Sequence, residues 1–256
     1  MSLQACAEML KRGDPDRFLA DMTVRPADRA VLFALHAFNL EVARAPWVTQ
    51  EPMIAEMRLQ WWRDALDEIG SGGVVRRHEV VEPLALAIRE RGIDTGLLDA
   101  VIETRRRDIA PEPFADLDAV LDYLDGTAGN LSWAAATGLG APPGSEGAVR
   151  DAARAGGAAN LLQALPDLAA HGRPAFAPDR ATELVSGLAR AGLSALARAR
   201  KADLRRAAPA LRGYWQAADV LRHADSNPQG AQDRAFATSE FRRRGSLLIR
   251  SALGGW

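Results

Sequence analysis

The stretch at 33–47, "FALHAFNLEVARAPW", decides the fold and raises the question of function. Apolar residues at 31, 35, 38 and 42 follow the i, i+4, i+7, i+11 spacing of one helix face. Pro26 suits the first turn of such a helix, because the N–H that proline lacks would have no partner there. The sequence therefore predicts a long helix that begins near Pro26, buries one face and runs through this stretch.

The rest of the chain repeats the helical pattern. Further helices are predicted over about 51–69, 80–91, 94–109, 116–138, 146–171, 180–202, 204–223 and 233–253. Breaks fall at Gly92 and in the Pro- and Gly-rich segments 110–113, 138–144, 171–179 and 226–230. We read the Ala- and Gly-rich region 134–160 as closely packed helices and not as a linker. The prediction is an all-α bundle, with residues 1–256 forming one domain.

Composition limits the possible functions. The 256 residues are 48% hydrophobic and 25% charged, which is typical of an ordinary globular protein. Lys and Arg total 32 against 33 Asp and Glu, so the bulk charge does not indicate a nucleic-acid partner. Cys6 is the only cysteine, which excludes an internal disulfide and a Cys-based zinc site. We find no secretory signal and no run of ~18 apolar residues, and expect a cytoplasmic location.

Four segments, in this order and spacing, resemble the squalene/phytoene synthase family. They are "RPADRAVLFALHAFNLEVA" (25–43), "EMRLQWWRDALDEI" (56–69), "YLDGTAGNLSWAAATGLG" (123–140) and "NLLQALPDLAAHGRPAFAP" (160–178). The resemblance covers most of residues 15–220 and implies an isoprenoid (terpenoid) synthase-like helical bundle. Active members of the family join two prenyl diphosphates head to head. That chemistry needs two acidic clusters on facing helices, whose carboxylates hold magnesium against the diphosphate.

Both acidic clusters are missing from this chain. The resemblance places their ligands at Ala43, Arg44 and Trp47 in the first segment and at Ala164 and Leu168 in the last. Glu41 is the only carboxylate near the first set, and its spacing allows a pair with Arg44 worth ~0.2–0.5 kcal/mol. The sequence therefore predicts no metal ligand at these positions.

Three segments resemble a non-catalytic branch of this superfamily more than they resemble the synthases. They are "HAFNLEVARAPW" (36–47), "MRLQWW" (57–62) and "LPDLAAHGRPAFAP" (165–178), and the branch includes a complex I assembly factor. The leading hypothesis is a degenerate, non-catalytic protein without a cofactor. It would act in respiratory complex I assembly, or bind a protein partner or lipid.

The apolar replacements at the lost motif positions leave room for a central cavity. It could hold an isoprenoid or lipid tail, or it could be filled by side chains. Candidate pocket or ligand contacts are Arg58, Tyr123, Asn160 and Gln163. For Asn160 the other interpretation, which we prefer, is a satisfied buried amide.

The alternative function is an active prenyltransferase of the squalene/phytoene synthase class that uses magnesium and prenyl diphosphates. Asp118, Asp122 and Asp125, at i, i+4 and i+7, would then form a relocated site, although the interpretation that we prefer for them is a solvated helix face. The same two interpretations apply to the acidic positions 64, 67 and 68. Asp108, which follows three arginines, belongs either to a surface run or to a phosphate-binding patch.

The segment "SEFRRRGSLLIRSALGGW" (239–256) is basic and amphipathic. It suggests a peripheral contact with the inner face of a membrane, with Leu247, Leu248, Ile249 and Trp256 entering an anionic lipid surface. The other interpretation is a helix packed on the bundle with its arginines in water.

Overall fold

The computed structural model describes residues 3–49, 51–234 and 236–256, which are helical nearly throughout. The helices are α1 Leu3–Gly13, α2 Pro15–Met22, α3 Pro26–Arg44, α4 Pro52–Gly70, α5 Val81–Arg91, α6 Thr95–Arg105, α7 Leu117–Leu124, α8 Asn130–Gly138, α9 Glu146–Ala170, α10 Ala181–Ala199, α11 Ala208–Leu211, α12 Ala217–Ser226, α13 Pro228–Asp233 and α14 Glu240–Ala252. These described ranges contain no β-strand. The all-α prediction is confirmed.

Helix α3 matches its prediction closely. It begins at Pro26, and the four apolar residues at 31, 35, 38 and 42 are all buried. Buried His36 places its Nδ1 2.7 Å from Oδ2 of buried Asp21 on α2. The ring of Phe38 meets Trp62 of α4 edge-on, with centroids 5.4 Å apart. These contacts fix α3 against α2 and α4, and so fix the position of the stretch that follows.

Three predicted helices are interrupted in the structure, and the first of them, over 116–138, contains a π-helical turn at Asp125–Gly129 between α7 and α8. In place of a helix over 204–223, α11 is followed by a short 3-10 turn, Arg212–Tyr214, and then by α12. In place of a helix over 233–253, α13 ends at Asp233 and α14 begins after Ser239, whose side chain caps the new helix by accepting a hydrogen bond from the N–H of Arg242. Ala235 lies outside the described residues. No helix was predicted before Pro26, so α1 and α2 were missed.

The long helix α9 packs against α8, α10, α12 and α13. Its buried face is made mostly of alanine and glycine. A Cβ atom at Gly156 would overlap the ring of Tyr214, and one at Gly157 would lie 3.0 Å from Cβ of Ala128. The interpretation of region 134–160 as closely packed helices is thus confirmed.

We expect Gly156→Ala to lower the free energy of unfolding by about 1–3 kcal/mol, because the added methyl group overlaps the Tyr214 ring. Gly147→Ala is the matched control on the same helix, where an added Cβ meets no atom within 4 Å. That control should leave stability unchanged or slightly raised. Urea titration followed by circular dichroism measures both. Equal midpoints for the two variants would contradict the close approach at Gly156.

Candidate functional site

The structure contains an open cavity of about 350 Å³ beside α9. Its walls come from the end of α3, the segment 105–114, the α7–α8 junction, α9 and the loop at 173–175. Six of the residues named from the sequence line it: Ala43, Trp47, Tyr123, Asn160, Ala164 and Leu168. The two sets of positions that the sequence assigns to acidic motifs therefore border one cavity, with one set on α3 and its 3-10 extension and the other on α9.

Three of the residues named from the sequence do not line this cavity: Arg44, Arg58 and Gln163. Arg44 is exposed on the end of α3. The predicted pair between Glu41 and Arg44 is wrong, because the carboxylate of Glu41 lies 3.8 Å from the guanidinium of Arg58 instead. Gln163 donates to the backbone carbonyl of Phe236 (3.0 Å) and accepts from its N–H (2.6 Å), which ties α9 to the chain that leads into α14.

The environment of Asn160 differs from the buried, hydrogen-bonded one that we preferred from the sequence. It is exposed and lines the cavity, and its side chain has no hydrogen-bond partner in the described part of the chain. The prediction of a satisfied buried amide is wrong. The reason is that α9 opens toward the cavity at this turn, so that Asn160 faces space and not a neighbouring helix. Its amide is free to bind whatever occupies the cavity.

The cavity does not fit a magnesium site. At the two motif positions it offers the methyl groups of Ala43 and Ala164, the indole of Trp47 and the isobutyl group of Leu168. Magnesium needs oxygen ligands in near-octahedral geometry. Within residues 3–49, 51–234 and 236–256, no group of three or more acidic, His or Cys side chains is arranged to hold a metal ion.

The other acidic candidates also stand apart from the cavity. Asp118 and Asp122 are exposed, and neither lines it. A carboxylate oxygen of Asp125 lies 3.3 Å from the guanidinium of Arg150. On α4, Asp64 accepts from Gln60, and Glu68 is bound by Arg76, which lowers the pKa of the Glu68 carboxyl through their hydrogen bonds. A relocated metal site therefore has no support in this geometry.

A half-buried hydrogen-bond network of Arg105, Asp108 and Tyr123 forms part of one wall of the cavity. A single oxygen of Asp108, Oδ2, accepts from Arg105 Nη1 at 3.0 Å and from the Tyr123 hydroxyl at 2.8 Å. Arg105 also donates to the Tyr123 oxygen at 2.7 Å. Burial raises the pKa of Tyr123, and although Arg105 opposes this effect, Asp108 adds to it. The phenol of Tyr123 therefore remains protonated at neutral pH, and Asp108 Oδ2 already accepts hydrogen bonds from Arg105 and Tyr123.

The sequence pointed to Arg105 and Arg107 only as part of the run before Asp108, with a phosphate-binding patch as one interpretation, and it did not identify Arg17 or Arg173. Arg17, Arg105, Arg107 and Arg173 all line the cavity. Burial alone would lower the pKa of the Arg17 guanidinium. The carboxylate of Asp14, whose Oδ2 lies 3.2 Å from Arg17 Nε, acts with other neighbours in the opposite direction, and the net effect is a raised pKa. A signal existed in the runs "RRRD" and "HGRPAF", which are 65 residues apart in the chain and meet only in the folded protein.

Tyr123→Phe tests the network through pH. Above the ordinary tyrosine pKa of about 10, the unfolded chain loses the Tyr123 proton while the folded chain retains it, so the folded state loses stability as pH rises. The variant should lose about 1–3 kcal/mol at neutral pH, where two hydrogen bonds disappear. It should also lose less additional stability than the wild type between pH 10 and 11.5. Urea midpoints across pH measure both effects, and parallel curves would contradict the raised pKa.

Two solved structures share this fold. A dehydrosqualene synthase in complex with ligand aligns with a TM-score of 0.73 and 15% identity, over 98% of this chain and 96% of that one. The squalene synthase HpnC from Alicyclobacillus acidocaldarius aligns with a TM-score of 0.75 and 13% identity, over 91% of this chain and 95% of that one. At these identities the likeness shows the fold alone, which confirms the isoprenoid synthase-like bundle.

Curated relatives match a smaller part of the chain. The NADH dehydrogenase (ubiquinone) complex I, assembly factor 6, of Bos taurus is 26% identical over 126 residues, and that of Homo sapiens is 24% identical over the same length. Each match covers 49% of this chain and 38% of the relative, so the chain aligns with well under half of each relative's length. The sequence profile of the squalene/phytoene synthases matches residues 10–229. Because that match extends over most of its length, the chain belongs to the squalene/phytoene synthase family.

Proposed function

We propose that this protein is a non-catalytic member of its family that acts in the assembly of respiratory complex I. One observation carries the proposal: the positions of both magnesium-binding motifs border the same cavity and offer hydrocarbon in place of carboxylates. The similarity to proteins named complex I assembly factor 6 supports the assembly role. As part of the same proposal, residues 1–256 form one domain.

The physical reason concerns the leaving group. Ionising an allylic diphosphate releases a large negative charge, which must be stabilised as it develops. Carboxylate-bound magnesium supplies that stabilisation in metal-dependent active sites. Alanine, tryptophan and leucine at 43, 47, 164 and 168 offer no oxygen ligand for a metal ion. The reaction would lack its main source of electrostatic stabilisation here.

The first test measures turnover directly. Purified protein incubated with magnesium and farnesyl or geranylgeranyl diphosphate should give no head-to-head product by mass spectrometry. A known squalene synthase in the same buffer serves as the positive control. Product formation at a synthase-like rate would overturn the non-catalytic proposal in favour of the alternative, an active prenyltransferase.

The second test measures the assembly role in the host cell. Deleting the gene should lower the amount of assembled complex I on native gels, and the wild-type gene should restore it. Lipid extracts of the same strains should show no loss of an isoprenoid product. Normal complex I together with a missing isoprenoid would contradict the proposal.

The proposal also includes peripheral membrane contact through α14, at the inner face of the membrane. No helix among the described residues has the length and apolar character needed to cross a bilayer. On α14, Phe241 is 90% exposed, and Leu248 and Ile249 are also exposed; Leu253, directly after the helix, is 81% exposed. Two residues expected to enter lipid pack on the protein instead: Leu247 is buried, and Trp256 is half-buried against the core.

The charges on α14 also favour contact with a membrane surface. Arg243 forms ion pairs with Asp16 of α2 and with Glu240, which holds the helix on the bundle. Arg244 lies 2.9 Å from the same Glu240, whereas Arg242 has no ion-pair partner among the described residues. The helix therefore combines an unpartnered apolar row with a net positive charge, which suits an anionic lipid surface.

Liposome co-sedimentation tests this contact. We expect Phe241→Ser combined with Leu248→Ser to reduce binding to vesicles rich in anionic phospholipid several-fold, because the inserted apolar area is lost. Leu86→Ser is the matched control, since Leu86 is similarly exposed on α5. If the double variant and the Leu86→Ser control sediment equally with the vesicles, α14 is not the membrane contact.

A further inference from the structure

Two arginines of the cavity carry charges that no carboxylate of the described chain balances. Arg107 Nη2 donates to the backbone carbonyl of Glu112 at 2.6 Å, and its guanidinium carbon lies 3.7 Å from the centre of the Phe114 ring. Arg173 donates to the carbonyls of Asp108 and Pro46, both at 3.2 Å, and lies over the Trp47 ring at 4.6 Å. Neither forms an ion pair within the described residues.

These two arginines belong to one end of the cavity. Arg173 bonds to the carbonyl of Asp108, the residue that follows Arg107. The N–H of Phe114 donates to the carbonyl of Ala175 at 2.8 Å, which joins the two segments a second time. We call Arg107 and Arg173, together with their aromatic supports Phe114 and Trp47, the arginine rim. Aromatic faces and backbone carbonyls hold the guanidinium groups without neutralising them.

Most of the hydrogen-bonding capacity of the rim remains free. A guanidinium has five N–H donors in a planar fork that matches a phosphate or carboxylate. Arg107 uses one donor and Arg173 uses two on protein acceptors in the described chain. Asn160, also in the cavity, adds an amide with no protein partner in the same part of the chain.

The nearby carboxylates do not cancel this charge. Asp108 is bound by Arg105 and Tyr123. Asp167 has a side chain that is 78% exposed and lies 3.5 Å from His171, so water screens it. Glu112 is exposed and contacts Arg107 through its carbonyl and not its carboxylate. Four arginines and three carboxylates line the cavity, a formal net charge of +1, and neither Arg107 nor Arg173 forms an ion pair with a described carboxylate.

The remaining walls are largely hydrocarbon, from Ala43, Leu124, Leu161, Ala164 and Leu168. A volume of about 350 Å³ lies at the low end of the range for sites that hold one drug-sized ligand. The space suits one hydrocarbon chain. An occupant must therefore be amphipathic, with an anionic head at the rim and a single apolar tail along α9.

We propose that the cavity binds a single-chain lipid ending in a phosphate monoester, which the guanidinium groups of Arg107 and Arg173 recognise without a metal ion. A phosphate monoester carries about −1.5 to −2 charges at neutral pH, which matches the two guanidinium groups. A diphosphate brings more charge than two arginines balance. This inference rests on the proposal that the protein binds a ligand and does not turn it over.

Calorimetric titration in EDTA tests the inference on the full chain. Farnesyl phosphate should bind without magnesium, and more tightly than farnesol, palmitate or farnesyl diphosphate. Arg107→Gln and Arg173→Gln should each weaken binding about ten- to hundredfold, because each removes charge-assisted hydrogen bonds. Arg190→Gln, at an exposed arginine of α10 paired with Asp225, is the matched control and should bind as the wild type does.

Two further arms separate the possible outcomes. Ala164→Phe leaves both arginines in place but fills the apolar part, so it should also weaken binding; circular dichroism checks that every variant is folded. Lysophosphatidic acid distinguishes a phospholipid source from a prenyl phosphate source, and tight binding of either supports the inference. Binding that requires magnesium, or that is equal for farnesol or palmitate, or that ignores both arginine variants, overturns it. If complex I assembly still depends on the gene, only this inference fails and the proposed function stands.

Discussion

The close packing of α9 is the constraint on which the rest of the structure depends. Tyr214 lies directly against Gly156, and Leu124 and Ala128 lie against Gly157, because these positions carry no side chain. Farther along the chain, Gly192 of α10 makes similar room for Leu221 of α12. Helices that approach this closely can shift or rotate very little against each other. The packing of α9 therefore fixes which of its residues face the cavity. Larger side chains at these glycines would push the neighbouring helices away from α9 and change which residues line the cavity.

The positions that the sequence assigns to the two acidic motifs border the cavity, but their side chains are not metal ligands. Acidic residues at 43, 47, 164 and 168 would have drawn in a divalent cation. The side chains present there are apolar, and the charge at the cavity comes instead from arginines on its rim. The ligand that we propose is accordingly an anion and not a metal cation. In that proposal, the lack of metal ligands and the choice of ligand have the same cause, which is the set of side chains around the cavity.

The rim depends on rigid support. Asp108, Arg105 and Tyr123 bind one another on one side of the segment 105–114, and the backbone bond from Phe114 to Ala175 ties that segment to the loop at 173–175. Arg107 and Arg173 are thereby held before any ligand arrives. Preorganised donors lose less entropy on binding than flexible ones.

Much of the fold was predictable from the sequence, because helical periodicity and proline or glycine breaks are local signals. They placed α3, α4 and the long α9 correctly. They failed at 204–223 and 233–253, where apolar spacing continues across breaks that only packing and capping create, such as the Ser239 cap before α14. The motif positions on α3 and α9 were also predictable, because they stand at fixed spacings beside residues such as Asn160.

The sequence by itself determined the helical class, the family and the absence of acidic ligands at 43, 44, 47, 164 and 168. Only the tertiary structure decided that the cavity is open, that Asn160 faces it, and that Gln163 and Arg58 serve other contacts. It also brought Arg107 and Arg173 together from distant parts of the chain. The reason is physical: a helix face can be read from spacing, whereas the partner of a long flexible side chain depends on what the fold places within its reach.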